Sequence, residues 1–154
     1  MKVEDRMFRN AMGKFATGVT VIAAELEGDV HGMTANAFMS VSLEPKLVLV
    51  SIGKNAKMNS IIQQSQTFSV NILSEEQKEM SMIFAGQMKE ERQIEFQRLG
   101  GLPVLEHSLV TLACKVYATH EAGDHTLYVG EVKHLNVRDG EPLAFFAGQY
   151  KGIH

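Results

Sequence analysis

The sequence predicts a mainly β protein with flanking helices, arranged as an antiparallel barrel. Strand-length apolar or alternating segments recur along the chain, and turn signals such as Glu27-Gly28-Asp29 separate them. Three short stretches show the spacing of an amphipathic helix. Many short strands with few helices are typical of closed or nearly closed antiparallel sheets. The length of 154 residues fits a single domain, 1–154, with a substantial core.

The N-terminal half begins with a predicted helix and continues as strands. The apolar residues at helical spacing are Phe8, Ala11, Met12 and Phe15. Gly18 is expected to help end this helix. Predicted strands occupy 17–25, 30–34, 38–41, 47–52 and 67–73. A short helix is predicted from Ala56, and Asn55 is expected to cap it.

The C-terminal half predicts one further helix and a long antiparallel pair of strands. Ser74 and Gln77 have the spacing of a capping box, and Gly86 is expected to close the helix that follows. Segment 87–103 has no clear strand pattern and is expected to cross the surface, with one helical turn around 91–96, as a lid or a dimer arm. The predicted strands are 110–120, 126–137 and 143–146.

Charge and hydropathy argue against several classes of protein. The net charge is −3, and the 15 Lys and Arg residues are scattered, so a nucleic acid partner is not expected. No apolar segment approaches the length of a membrane span, and the first residues lack the apolar stretch of a signal peptide. We therefore expect a cytoplasmic protein with no membrane partner.

The metal-ligating and redox residue types give little signal. Cys114 is the single cysteine, and it shares an alternating apolar face with Leu112 and Val116, so a small core residue is the favoured interpretation over a redox thiol. The six histidines lack the close pairs that a zinc or iron site usually displays. No metal site is expected.

One stretch has the pattern of a nucleotide cradle. Residues 32–37 are small, so their backbone groups would be open to a planar polar ring. The apolar strand 47–50 leads into the polar segment 51–57 and then into a helix. Free amides at the helix start, the helix dipole and Lys57 would converge there on one phosphate.

Four motifs in this order resemble one enzyme family. They are TGVTVIAAE at 17–25, HGMTANAFMSVSLEP at 31–45, SxxFAG at 81–86 and AGDHTLYVGEV at 122–132. Together they resemble the short-chain flavin reductases of the split-barrel flavin-binding fold, over nearly the whole chain. The resemblance is greatest to the small reductase component of two-component phenol hydroxylases, which supplies reduced FAD to a separate oxygenase.

The resemblance implies a split barrel and an NAD(P)H:flavin oxidoreductase that moves hydride from nicotinamide C4 to flavin N5. FAD (or FMN) and NADH (or NADPH) are the implied ligands, and the sequence does not decide within either pair. The implied partners are a second copy in a homodimer and a flavin-dependent oxygenase component. The alternative is a non-catalytic flavoprotein of the same fold, an electron carrier or flavin store.

The resemblance also implies site residues, none of which acts as acid, base or nucleophile. The implied flavin contacts are Met33, Thr34, Ala35, Asn36, Ala37, Ser51, Ile52, Lys57, Ser81, Phe84 and Ala85. The implied nicotinamide contacts are Lys14, Phe15, His125 and Tyr150. Structural alternatives stay open for some of these: Lys57 as a solvated surface lysine, Phe84 as a core residue, and His125 as a turn residue bonded to Asp124.

Overall fold

A computed structural model describes residues 1–88 and 94–153, which contain three α-helices and twelve strands. The helices are α1 Asp5–Met12, α2 Lys57–Ser65 and α3 Lys78–Phe84. The strands are β1 Thr17–Gly18, β2 Thr20–Leu26, β3 Asp29–Ala35, β4 Phe38–Ser42, β5 Leu47–Gly53, β6 Thr67–Ile72, β7 Gln97–Leu99, β8 Leu102–Val104, β9 Val110–Ala122, β10 His125–Val137, β11 Ala144–Phe146 and β12 Gln149–Lys151. The protein is therefore mainly β, as the sequence predicts.

Seven strands form the main sheet, in the order β3-β2-β6-β9-β10-β5-β4, and every neighbouring pair is antiparallel. Its two edge strands, β3 and β4, are consecutive in the chain and are linked only by Asn36 and Ala37. Three peptide links span at most about 11 Å, so the sheet curls until its edges approach at this corner. Within the described ranges, no strand pairing joins β3 to β4. A smaller sheet has the order β1-β11-β12, and β7 and β8 form a hairpin.

Two apolar clusters hold these layers together because side chains alternate across the sheet. One packs α2 against the sheet and includes Ile22, Ile52, Met58 and Phe68, all fully buried. The other lies beneath α3. It contains Val21 of β2 and buried valine and leucine residues from the neighbouring loops. Each such side chain contributes about 1.5–3 kcal/mol by leaving water. β2, the strand between the clusters, therefore fixes where both helices lie.

Several predicted details are confirmed. Gln77 Oε1 accepts a hydrogen bond from the Ser74 backbone N–H at 3.0 Å, within a capping box before a single 3₁₀ turn and α3. Gly86 has φ 77° just after α3, the left-handed backbone expected of a closing glycine. Cys114 is buried in the core, and burial raises the pKa of its thiol to about 12.

Two predicted helix boundaries are wrong. α1 ends at Met12 with Gly13 as its cap, five residues before Gly18, because its last turn closes on Gly13 N–H. Asn55 does not cap α2. Ala56 occupies the N-cap position and makes no side-chain hydrogen bond there.

Segment 87–103 shows no clear strand pattern in the sequence, yet it contains β7 and the first two residues of β8. Gly100 and Gly101 between them have φ of 57° and 85°, which permits the tight turn. Of the helical turn expected at 91–96, residues 91–93 lie outside the described ranges, and 94–96 have no helical assignment. Strand β12 was also not predicted. In the described residues, no helix is long and apolar enough to cross a bilayer.

Candidate functional site

The predicted ring contacts lie on β3, an edge strand of the main sheet. The β2–β3 turn has two central residues, Glu27 and Gly28, both with positive φ, which is the geometry of a type I′ hairpin. In such a hairpin, hydrogen-bonded and non-bonded pairs alternate from the turn. The register therefore turns the N–H and C=O groups of Val30, Gly32 and Thr34 toward the open edge. Within residues 1–88 and 94–153 no further strand pairs with this edge, so these groups are available to a ligand.

Helix α3 lies against one face of β3, and part-buried hydrogen bonds join it to β3 and to β12. Thr34 Oγ1 donates to the Ser81 carbonyl at 2.6 Å, and the Ser81 and Tyr150 hydroxyls are hydrogen-bonded at 2.8 Å. Ser81 is fully buried. Three predicted residues thus contact one another directly, although Ser81 and Tyr150 were expected to contact different ligands.

A small cavity of about 180 Å³ opens beside this contact. It is lined by Thr34, Asn36, Ala85, Gln87, Phe145 and Tyr150. Sequence reasoning missed Gln87 and Phe145. Phe145 is cross-strand partner to Tyr150, with ring centroids 5.2 Å apart, and the pairing of β11 with the missed strand β12 was the signal that could have found it.

Phe84 occupies a different place from the other predicted residues of α3. Its ring covers Gly32, where a Cβ atom would lie 2.5 Å from a Phe84 ring carbon. It packs against Phe96 at a centroid distance of 6.0 Å and against the cluster beneath α3. Both interpretations of Phe84 are therefore compatible with this position, since the ring packs on the core and also borders open space beside β3.

The link between β3 and β4 is hydrogen-bonded to β5, which brings together the two segments of the predicted nucleotide cradle. Ser51 N–H donates to the Ala37 carbonyl at 3.1 Å, and Asn36 and Ala37 are exposed. Ile52 is fully buried, and Ala35 is buried in the same cluster. For these two residues, a ligand contact would have to come from the backbone.

The start of α2 lies against the other face of β3. Lys57 is the first residue of α2 and is exposed. Because Ala56 offers no capping side chain, the Lys57 amide at the start of α2 stays available to an anion, whereas the Asn59 N–H already donates to the Ala56 carbonyl at 3.1 Å. Half-buried His31 of β3 lies close enough to be affected: burial, and secondarily the Lys57 charge, lower the pKa of its imidazole.

The predicted nicotinamide contacts lie in two separate places within one chain. His125 begins β10 opposite Gly53, beside the loop that precedes α2. Its Nδ1 lies 2.8 Å from Asp124 Oδ1, and this contact lowers the pKa of the Asp124 carboxyl. This is the bond that the turn-residue interpretation expects, and the exposed ring leaves its other nitrogen open. The role of His125 stays a prediction.

The other three nicotinamide candidates lie beside the small sheet. Lys14 Nζ is 5.8 Å from the Phe146 ring centroid, while Tyr150 pairs with Phe145 on the opposite side of the β11–β12 hairpin. Phe15 is 77% exposed. The Ala147 N–H donates to the Gly13 carbonyl at 2.8 Å and fixes this hairpin against the end of α1.

These features fit a flavin nucleotide. The open backbone groups of β3 and the exposed Asn36 amide match the alternating donors and acceptors of a planar polar ring, while the Lys57 side chain and its uncapped amide suit a phosphate. In residues 1–88 and 94–153, no three His, Cys, Asp or Glu side chains form a group that could hold a metal ion.

Comparison with known proteins identifies the family. The flavin reductase like domain matches residues 12–154, and this chain belongs to that family. It is 49% identical to an NADH-dependent flavin reductase from Rhodococcus sp, over 94% of this chain and 84% of the relative.

Two further proteins are similar to this chain over nearly its whole length. The reductase component of 4-hydroxyphenylacetate 3-monooxygenase from Thermus thermophilus is 39% identical, over 95% of each chain. The solved structure of the flavin reductase PheA2 in its native state superimposes with a TM-score of 0.96 at 58% identity, covering 99% of both chains. The predicted family is confirmed.

Proposed function

We propose that this chain is an NADH-dependent flavin reductase that supplies reduced flavin to a separate oxygenase component. The observation that carries the proposal is the open edge of β3 at Gly32 and Thr34, flanked by Ser81 on one side and Lys57 on the other. That arrangement occurs in a chain 49% identical to an NADH-dependent flavin reductase. Similarity to a monooxygenase reductase component supports the oxygenase partner.

The bound flavin supplies a hydride acceptor at N5, and NADH supplies the hydride from nicotinamide C4. The residues of the chain hold the two rings and orient them. The backbone of Gly32 and Thr34 and the Asn36 amide would bind the polar edge of the ring, and Lys57 would bind the phosphate through its ammonium group and its own amide. The Thr34–Ser81–Tyr150 hydrogen bonds fix the wall of this pocket before a ligand arrives, which reduces the cost of alignment.

The split barrel and the homodimer are part of this proposal. Support for barrel closure comes from the two-residue link that brings β3 and β4 together. Support for a dimer comes from a broad, mainly apolar groove of about 930 Å³ beside that link, lined in part by Met12, Phe15 and Met39. All three side chains are more than half exposed in the single chain. Covering them with a second copy would remove a patch that monomers rarely expose.

The dimer would also explain why His125 lies apart from Lys14, Phe15 and Tyr150 in one chain, since two copies can contribute to one nicotinamide site. We propose these four residues as nicotinamide contacts, and the remaining flavin set as contacts of the ring and phosphate. The cytoplasmic location stays a prediction of the sequence.

The proposal is tested by mixing purified protein with NADH and either FAD or FMN and following absorbance. We expect flavin-dependent NADH oxidation, with FAD at least as good as FMN. Stopped-flow reduction of the bound flavin separates the two functions that the sequence left open. Tight flavin binding without rapid reduction by NADH or NADPH would establish the electron carrier or flavin store instead.

A further inference from the structure

Two buried polar side chains adjoin the loop that connects β5 to α2. Asn59 of α2 is 8% exposed, and Tyr128 of β10 is fully buried. The Tyr128 hydroxyl donates a hydrogen bond to the side-chain carbonyl of Asn59 and lies 3.1 Å from the Asn59 backbone carbonyl. Buried polar groups are costly unless they are hydrogen-bonded, so this pair favours one arrangement of the residues around it.

The Asn59 amide is also bonded to the loop itself. Its Nδ2 donates to the Lys54 carbonyl at 3.3 Å. Asn59 is the third residue of α2, and helical side chains tilt toward the helix N-terminus, which brings the amide back to the loop. An amide has one accepting and one donating end, so it satisfies the Tyr128 hydroxyl and the Lys54 carbonyl at once. Asn59 therefore links the loop to Tyr128.

The loop is bonded at its beginning as well. The Lys54 N–H donates to the Asp124 carbonyl at 3.0 Å, and the Ala56 N–H closes a turn on the Gly53 carbonyl at 3.0 Å. Asp124 precedes β10, the strand that contains Tyr128. Because β10 pairs with β5 on one side and with β9 on the other, it is a rigid support. The loop is thus held against this strand at two points.

Lys57 depends on the loop for its position. It follows the loop directly as the first residue of α2 and offers an anion two groups, its ammonium and its backbone N–H. The ammonium can adjust by rotation of a long side chain, whereas the N–H moves only with the backbone. Ligand contacts must be held to within about 0.5 Å by the bonds around them. The bonds of Asn59, two residues further along α2, supply that support.

We propose that Asn59, held by Tyr128, is a positioning residue for the flavin phosphate, because it fixes the backbone that presents Lys57. The assignment rests on the flavin reductase function proposed above. Asn59 is buried and acts through Lys57, so its loss should weaken the binding of a flavin that carries a phosphate and spare the binding of the ring alone.

The test compares FMN with riboflavin, which has the same ring and no phosphate. Both are titrated by flavin fluorescence against the wild type and Asn59→Ala. The FMN dissociation constant should rise by about fivefold or more, and that of riboflavin by less than about twofold. A general loss of structure would weaken both ligands alike. An equal loss for the two flavins therefore overturns the proposal, and so does an unchanged FMN constant.

Two further variants control for folding. Tyr128→Phe keeps the ring and removes only the hydroxyl, so it should also weaken FMN more than riboflavin, and it decides the question if Asn59→Ala does not fold. Asn71→Ala is the matched control, because Asn71 is a fully buried amide of β6 that bonds the Val21 carbonyl and the Leu105 N–H, away from the loop. It should lower the melting temperature and leave the ratio of the two dissociation constants unchanged.

A double variant shows whether Asn59 acts through Lys57. Lys57→Pro removes both the ammonium and the N–H, and proline suits the first position of a helix that follows an extended residue such as Ala56. Adding Asn59→Ala to Lys57→Pro should change the FMN constant by less than about twofold. A further loss of about fivefold would overturn the proposal, as would a wild-type protein that binds riboflavin as tightly as FMN. A wild-type protein that binds neither flavin would instead refute the proposed function.

Discussion

The two faces of β3 differ in how far their candidate ligand contacts are already in place. On the α3 face, Thr34, Ser81 and Tyr150 are bonded to one another and Phe84 covers Gly32. On the α2 face, exposed Lys57 extends toward solvent near half-buried His31. Contacts on the first face stabilise the folded protein without a ligand. Contacts on the α2 face contribute most of their free energy only when an anion binds. Substitutions on the two faces should therefore affect different measurements.

The largest expected effect tests the α2 face. Lys57→Ala should raise the flavin dissociation constant by about tenfold or more, because a charge-assisted contact contributes about 1.5–3 kcal/mol. The melting temperature should hardly change, since Lys57 is exposed. Lys115→Ala, an exposed lysine of β9, is the matched control for both measurements. An unchanged dissociation constant would make Lys57 an ordinary surface lysine.

The α3 face is tested by adding one methyl group at Gly32. Gly32→Ala places a Cβ atom 2.5 Å from a Phe84 ring carbon, so the ring must move, at a cost of about 1–3 kcal/mol in the free energy of unfolding. Urea titration measures this loss. Gly18→Ala meets no heavy atom within 4 Å and should be nearly neutral. A Gly32→Ala protein as stable as the wild type would mean that α3 is not fixed on β3.

His125 lies near α2, so its substitution, like that of Lys57, should mainly affect ligand binding. His125→Ala should leave flavin affinity nearly intact while raising the KM for NADH, slowing hydride transfer, or both, by about fivefold for one lost hydrogen bond. Flavin titration beside single-turnover reduction at several NADH concentrations separates these results. Normal reduction at every concentration would leave His125 as a turn residue, and weakened flavin binding alone would place it at the flavin.

A double-mutant cycle measures the hydrogen bond between Ser81 and Tyr150. Tyr150→Phe and Ser81→Ala should each destabilise the protein, and the coupling between them should be about 1 kcal/mol because they share one part-buried hydrogen bond. Urea unfolding of the two single variants and the double variant gives this value. Additive losses would show that the two hydroxyls act independently.

The smallest effect concerns the ion pair at the far end of β3. Arg98 holds the pKa of the Glu25 carboxyl below its usual value of 4.5, so the folded state favours the carboxylate. The stabilisation is then present above about pH 4.5 and is lost as the pH falls through the lower folded pKa. Thermal melting of wild type and Glu25→Gln should differ slightly near neutral pH and converge in acid. A difference in melting temperature that does not change with pH would show that the ion pair between Glu25 and Arg98 does not contribute to stability.

The sequence predicted the features that local chemistry determines. The Ser74–Gln77 capping box needs only two side chains at the right spacing, and the β2–β3 hairpin needs only Glu27 and Gly28 at the turn. β7 and β8 were missed because each has three residues, too few to show alternation. Asn55 was a good cap by residue type, but α2 begins one residue later than that assignment requires.

The candidate site was more predictable where it consists of backbone groups of one strand than where distant elements meet. The open edge at Thr34 follows from hairpin register, so the sequence was enough to predict accessible backbone groups there. Phe145 and Gln87 come from other parts of the chain, and no spacing connects them with Asn36. The bond between Ser81 and Tyr150 joins residues 69 positions apart, so only the folded chain reveals it.

The strand order has a consequence for how the protein is made. β3 and β5, which provide the ring edge and Ser51, are separated in the main sheet by β2, β6, β9 and β10. A ribosome must therefore finish β10, at Val137, before the sheet that positions both of them can form. Until then the β4–β5 hairpin has no sheet neighbour on its β5 side. The nascent chain should become able to bind flavin only after nearly all of it has been synthesised.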